Sequence, residues 1–326
     1  MPMVDLLVVG TSVDPHISSV LSRLGDITVC RLDVDRFPRD QSVTLEFSRT
    51  GVPKVLVHDG EVSWDVTQPK VAWFRRLGKP GVSKKLHADY KDFVIGETEQ
   101  TIEGLLSIVN PHYWLNNFWG ARQAGNKPLQ YATATQLGLA LPDTIITNGL
   151  ANARHWIDDH GEVIAKSISR PLLTAEGSSH GKTFVYTHRL DSSDRKSLAQ
   201  VRQAPCQFQP LVVPSHELRV TTIGKRHFTV EIRTEDDEPG RFDWRATATN
   251  CEYKLGELDP QTGALLSRLL DKFGLQFAAS DFIIDGNGDK YFLESNPHGA
   301  WMWLEAFVPD LDISGAIASW IMSRTC

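Results

Sequence analysis

The sequence predicts a mixed α/β (α+β) protein with more than one domain. Three observations carry that prediction. The chain has 326 residues, about two domains by length and enough for a sizeable core. Short apolar runs such as Leu6-Leu-Val-Val-Gly10 and Val71-Ala-Trp-Phe-Arg75 have the length of buried strands. Between the strands lie stretches with helical spacing, notably Phe93–Leu106 and Gln261–Phe273, the latter with Leu265, Leu266, Leu269 and Leu270 clustered.

In chain order, strand Leu6–Gly10 leads to a helix near His16–Leu24 and a second strand, Ile27–Leu32. Val52–Val57 and Val62–Trp64 flank His58-Asp59-Gly60, a hairpin signal. Strand Val71–Arg75 follows, and Asn110-Pro111 stops the helix begun at Phe93. These elements suggest an N-terminal α/β domain over residues 1–115. Helices over Trp119–Lys127 and Leu129–Leu137, a turn at Gly138–Pro142, strand Thr144–Thr147, helix Ala151–Asp159 and strand Glu162–Ser167 form a central unit, 116–205. Within it, residues 170–182 read as a loop from Gly177, Ser178, Ser179 and Gly181, and Phe184–Thr187 resumes as strand. The last unit, 206–326, holds three strands over 206–234, with turns at Pro214-Ser215 and Gly224-Lys225. It continues with an acidic loop at 235–241, helix Gln261–Phe273, a hairpin and a closing helix, Leu311–Met322.

Composition narrows the function classes. A net charge of −6 argues against general binding to nucleic acid or anionic membranes. No apolar run approaches the roughly 18 residues of a membrane span, and the N-terminus lacks the basic region of a signal peptide. Cys30, Cys206, Cys251 and Cys326 are far apart and form no CxxC pair. That spacing fits reduced thiols in a cytoplasmic protein rather than a disulfide framework or zinc site.

The C-terminal hairpin is the most informative feature. Asn287-Gly288, taken as a two-residue loop, pairs 286 with 289 and 284 with 291. Continued, that register sets Asp281 directly opposite Glu294, with Asn296 two residues on and on the same face. Like charges opposite one another on a sheet repel, and a cation between them removes the repulsion. All three groups offer hard oxygen, which suits magnesium bridged to phosphates. A solvated acidic face is the competing reading.

Other residues have chemistry of the same kind. Lys166 ends a strand just before the glycine-rich loop, where a lysine and loop amides can hold phosphate; an edge-strand lysine in water reads equally well. Lys127 is a second phosphate candidate. Gln209-Pro-Leu211-Val212 has the look of an extended hinge whose backbone reads an adenine edge. Glu217 and Arg219 share one face of a strand, and Arg233 lies on the next strand. Two arginines at a metal-bound phosphate would stabilise developing charge, although cross-strand salt bridging explains them too. Arg245, in Asp243-Trp-Arg, is a third candidate.

The order Asn117…Lys127, Gly138-Leu-x-x-Pro142, Lys166 with its loop, Glu217-x-Arg219, Arg233 and Asp281…Glu294-x-Asn296 resembles the ATP-grasp superfamily over roughly residues 110–300. Trp73-Phe-Arg-Arg, Glu217-Leu-Arg-Val-Thr, Asp243-Trp-Arg and Asn296-Pro-His-Gly-Ala-Trp-Met-Trp-Leu-Glu305 are similar to the ATP-grasp ribosomal peptide maturases, the microviridin-type or graspetide macrocyclases. That closing motif extends the resemblance over almost the whole chain.

The resemblance implies an ATP-grasp fold with an N-terminal pre-ATP-grasp α/β domain and ATP between the central and C-terminal units. It implies Mg²⁺, two ions, at Asp281, Glu294 and Asn296. Lys127 and Lys166 would touch phosphates, and Glu217 the ribose. The hinge at Gln209, Leu211 and Val212 would hold adenine, and Arg219 and Arg233 the γ-phosphate and an acyl phosphate. The implied partner is a ribosomal precursor peptide, leader plus core, and relatives are often homodimers. Its Asp or Glu side chains would be activated as acyl phosphates and closed into rings by Ser/Thr hydroxyls or Lys amines. The leader would bind near Phe184–Arg189. Trp301 and Trp303 either line the core-peptide site or are plain core. Pro210 and His298 depart from the family pattern, where an acidic residue and an asparagine are common. The alternatives are an ATP-grasp carboxylate–amine ligase acting on amino acids or a protein tail, and a non-catalytic ATP-binding module.

Overall fold

The computed structural model describes residues 3–49, 51–169, 187–234 and 250–325, and the backbone alone of 172–174 and 182–184. Most of the glycine-rich loop, Arg245 and the acidic loop lie outside the described residues.

The N-terminal part contains β1 (Leu6–Gly10), α1 (Pro15–Leu21), β2 (Val29–Asp33), β3 (Gln41–Glu46), β4 (Lys54–Asp59), β5 (Val62–Asp65), β6 (Val71–Phe74), α2 (Lys91–Ile108) and β7 (Tyr113–Trp114). A parallel sheet of order β2-β1-β6-β7 stands beside an antiparallel sheet, β3-β4-β5. Strand β3, half-exposed and polar on alternate positions, gives too little apolar pattern to be read from sequence.

Helices α3 (Phe118–Ala124) and α4 (Lys127–Leu137) follow. The expected first helix, Trp119–Lys127, ends early. Asn126 caps α4, its Oδ1 accepting the Leu129 N–H at 3.1 Å, with Pro128 in the first turn. Both signals start a helix, so Lys127 opens α4 rather than closing α3.

A smaller unit then contains β8 (Ile145–Thr147), α5 (Leu150–His160), β9 (Val163–Lys166), β10 (Leu172–Thr174), β11 (Lys182–Phe184), β12 (His188–Arg189), a single turn α6 (Asp194–Ser197) and β13 (Cys206–Pro210). Its sheet runs β12-β9-β13-β8 over its own small core of Ala153, Ile157, Val163, Val201 and Phe208. Strand β13 is thus internal to this sheet, although it follows residue 205.

The largest sheet, β16-β15-β14-β17-β18, is antiparallel. It comprises β14 (Pro214–Ile223), β15 (Arg226–Arg233), β16 (Glu252–Leu255), β17 (Phe277–Asp285) and β18 (Lys290–Asn296), with α7 (Pro260–Lys272) before the hairpin and α8 (Met302–Phe307) and α9 (Ile313–Thr325) after it. Leu266, Leu269 and Leu270 of α7 join the core of Leu218, Val220, Phe282 and Phe292 on one face. Each buried leucine contributes about 1.5–3 kcal/mol. The other face shares Ile223, Val230, Ile232 and Phe277 with Trp301, α9 and β1. The N-terminal and C-terminal parts are therefore packed together, while the β8–β13 unit has a core apart. No helix among the described residues is long and apolar enough to cross a membrane.

Asp281 does pair with Glu294, but by a different route from the one expected. Gly288 donates to Asp285 O at 3.1 Å and Asp285 donates to Asp289 O at 3.0 Å, so three residues form the loop, with Gly288 at φ +86°. A type I turn closed by a left-handed glycine does this. The pairing is then Ile284↔Lys290 and Phe282↔Phe292, one residue off. A β-bulge at Leu293 inserts one residue and restores the register at Asp281↔Glu294.

Candidate active site

Neighbouring strands of the large sheet align Arg219, Asp281 and Glu294 in one cross-strand row. Arg219 Nη1 donates to both oxygens of Asp281 at 2.8 and 2.9 Å. Lys127 Nζ lies 3.0 Å from Glu294 Oε2 and donates to Ser167 O at 3.3 Å. Each acid of the row thus has its own cation. Arg219 is 7% exposed, so Asp281 rather than water lies against its guanidinium.

The edge strand β18 is held by α4. Gln130, fully buried, donates from Nε2 to Ser295 O at 2.6 Å and accepts the Ser295 N–H at Oε1 at 2.8 Å. One amide therefore satisfies both backbone groups of the residue between Glu294 and Asn296. Nothing in the spacing of the sequence distinguishes this glutamine from a surface one.

A cleft of about 490 Å³ opens beside the row, lined by Lys127, Lys166, Ser167, Glu294 and Asn296 among others. Lys166 also borders a second, narrow gap with the hinge residues Gln209, Leu211 and Val212, Glu217, and the bulged Leu293. That gap measures about 20 Å³, room for about one water, so its walls must part to admit a purine. Leu211 donates its N–H to Glu162 O at 2.8 Å, and the Gln209 side chain donates to Thr144 Oγ1 at 2.8 Å. Both groups are engaged within the protein rather than turned to the gap.

Three expected residues stand elsewhere. Arg233 pairs with Glu252 on β16, and alternation sets it on the face opposite Arg219, 3.2 Å from Glu231. Trp301 is 1% exposed and donates from Nε1 to Ser314 Oγ at 2.9 Å, so its side chain is packed in the core. Trp303 is half-buried against Tyr253, ring centroids 5.5 Å apart. Arg245 is outside the described residues.

The donor set fits magnesium. Among the described residues no cluster of three or more His, Cys, Asp or Glu side chains forms. Two carboxylates and the Asn296 amide oxygen are instead the candidate ligands. Magnesium commonly takes only one or two protein carboxylates, with phosphates and water completing an octahedron. Two side-chain cations already sit within hydrogen-bond distance of these carboxylates, which marks the positions as cation-attracting.

Comparisons with known proteins follow this geometry. Residues 7–122 match the family model described as the MvdD pre-ATP grasp domain. No curated protein sequence matches the chain. The fold is similar to a RiPP-associated ATP-grasp ligase of Chryseobacterium gregarium in complex with ADP and a leader and core peptide. That match has a TM-score of 0.90, 24% identity, and covers 99% of this chain and 97% of that one. It is similar to the macrocyclase MdnC of Microcystis aeruginosa MRC, bound with precursor peptide MdnA, at TM-score 0.85, 25% identity, and 98% and 99% coverage. The macrocyclase MdnB of the same organism follows at TM-score 0.77, 28% identity, and 98% and 99% coverage. The chain has the ATP-grasp fold with a pre-ATP-grasp domain at its N-terminus. Its resemblance to the ATP-grasp ribosomal peptide maturases, read first from its motifs, extends through the structure over nearly the full length.

Proposed function

We propose that the chain is an ADP-forming ATP-grasp ligase that closes rings in a ribosomally made precursor peptide. The observation that carries this reading is the Arg219–Asp281–Glu294 row with Lys127, beside a cleft lined by Lys127, Lys166, Glu294 and Asn296. The choice of a peptide substrate rests on the full-length likeness to a macrocyclase bound with its precursor.

The chemistry follows from charge. A side-chain carboxylate of the peptide attacks the γ-phosphorus of ATP, the bond to the bridging oxygen breaks, and ADP leaves. The acyl phosphate so formed is attacked at carbon by a hydroxyl or amine of the same peptide. Phosphate departs with the bonding pair, and the nucleophile gives up its proton. Magnesium, held by Asp281, Glu294 and Asn296, supplies charge neutralisation at the phosphates. Arg219, which reaches the γ-phosphate on leaving Asp281, stabilises the transferring group. Lys127 and Lys166 hold phosphate oxygens, and Glu217, on the face of Arg219, takes the ribose. Hinge contacts at Gln209, Leu211 and Val212 require the narrow gap to open. Arg233 and Trp303 are left as peptide contacts at most, since neither reaches the row.

A cytoplasmic setting rests on the wide spacing of the four cysteines in the sequence. A homodimer rests on the resemblance alone.

ADP release measured with the protein, Mg²⁺-ATP and a cognate precursor tests the reading. Release should require the peptide. Release driven by free amino acids instead would make the protein an amino-acid ligase, and none with any cognate peptide would make it a binding module.

A further inference from the structure

The turn after Asn296 is gripped at four consecutive carbonyls. Asn116 Nδ2 donates to Pro297 O at 3.1 Å. Arg75 donates to His298 O from Nη1 at 2.6 Å and to Gly299 O from Nη2 at 3.3 Å. Arg219 Nη2 donates to Ala300 O at 3.5 Å. A Cβ on Gly299 would lie 2.2 Å from the Ala279 Cβ, so the turn is also pressed against β17. Asn296 itself is tied into it, its Oδ1 accepting the His298 N–H at 2.9 Å.

Arg75 is the unexpected member. It continues β6 of the N-terminal sheet and is 2% exposed. Its guanidinium stacks over Trp301 at 5.0 Å, with Asp14 Oδ2 3.6 Å from Nε. Asp14 is buried as well, with Arg76 Nε 3.1 Å from its Oδ2 as an ion pair and His16 Nδ1 2.8 Å from its Oδ1. A buried ion pair is seldom the most stable filling for such a space; apolar residues of similar volume often serve as well or better. An arginine spent on two loop carbonyls is accounted for if the loop must be held in one place.

We propose that Arg75 is a positioning residue, through which the N-terminal domain sets the orientation of Asn296 as a metal ligand. The proposal rests on the metal reading of Asp281, Glu294 and Asn296. It has a sign that distinguishes it from electrostatics. Removing a cation near a metal site strengthens metal binding by charge alone, whereas releasing the turn weakens it.

The test uses Arg75→Met and Arg75→Lys in the full chain, with Mn²⁺-dependent binding of ADP followed by calorimetry, and ADP binding in EDTA as the control. The Mn²⁺ concentration for half-saturation should rise about tenfold in Arg75→Met, the scale of losing an outer partner of a metal ligand. Arg75→Lys, able to keep one carbonyl bond, should fall between, and ADP binding in EDTA should not change. If Arg75→Met does not fold, Arg75→Lys decides. Half-saturation unchanged or lowered in the folded variants overturns the proposal, whatever their melting temperatures. A parent protein with no Mn²⁺-dependent ADP binding overturns the metal reading itself.

Discussion

Asp281 and Glu294 face each other across a hairpin, yet neither repels the other freely, because Arg219 and Lys127 neutralise them pairwise. A divalent ion entering alone would leave this row with excess positive charge and would have to displace an arginine or lysine already in contact. Ions arriving with a triphosphate bring their own counter-charge, and the freed Arg219 and Lys127 then face phosphate. Mn²⁺ alone should therefore bind about tenfold or more weakly than Mn²⁺ with ADP, as electron paramagnetic resonance titration would read. Equal affinity in the two titrations would mean that the basic residues do not guard the acids. Glu294→Gln keeps the shape and removes the charge. Losing even an outer partner of a metal ligand costs about 10- to 100-fold, so precursor-dependent ADP release should drop at least that far. Activity near the parent's would move the metal elsewhere.

At the scale of elements, the hairpin teaches how sequence reasoning can reach a true pairing by an inexact path. The Asn-Gly turn pointed to Asp281 opposite Glu294, but the loop has three residues and the bulge at Leu293 restores the shift. A bulge has no sequence mark here; Leu293 looks like any strand leucine. Arg233 is the opposite case. Gly224-Lys225 sets Ile223 against Arg226, and counting back from that turn places Arg233 opposite 216, off the face of Arg219. Its parity was readable from the turn alone. Gln130 carried no pattern of its own, and Arg75 stood only within Trp73-Phe-Arg-Arg without a role, since both act on backbone groups distant in the chain.

Helix α7, which backs the large sheet, offers a measurable element of stability. Asp259 caps it, Oδ1 accepting the Thr262 N–H at 3.0 Å, with Lys290 Nζ 2.9 Å away. Burial pushes the Asp259 carboxyl up, but the Thr262 hydrogen bonds and Lys290 outweigh it and hold it down at about 2. A carboxylate depressed in the fold stabilises it above the ordinary value near 3.9, and that contribution is lost as pH falls through about 2. Asp259→Ala should cost about 1 kcal/mol in urea unfolding at neutral pH, and the gap from the parent should close as pH falls from about 4 to 2. A gap independent of pH would show that the cap acts without its charge.

Over the whole molecule, the N-terminal and C-terminal parts share two cores, while the β8–β13 unit keeps its own. Motion of that unit would open the narrow gap at the hinge without breaking either shared core. The fold class was readable because strand runs and helix spacings are local. The membership of β13 in the smaller unit was not, since only sheet pairing assigns it there. The central claim is ring closure in a peptide, and mass measurement tests it most directly. The full chain incubated with its cognate precursor, ATP and Mg²⁺ should yield peptide lighter by one water for each ring formed, and only when ATP is present. A precursor whose mass stays unchanged while the protein turns over ATP would contradict the account.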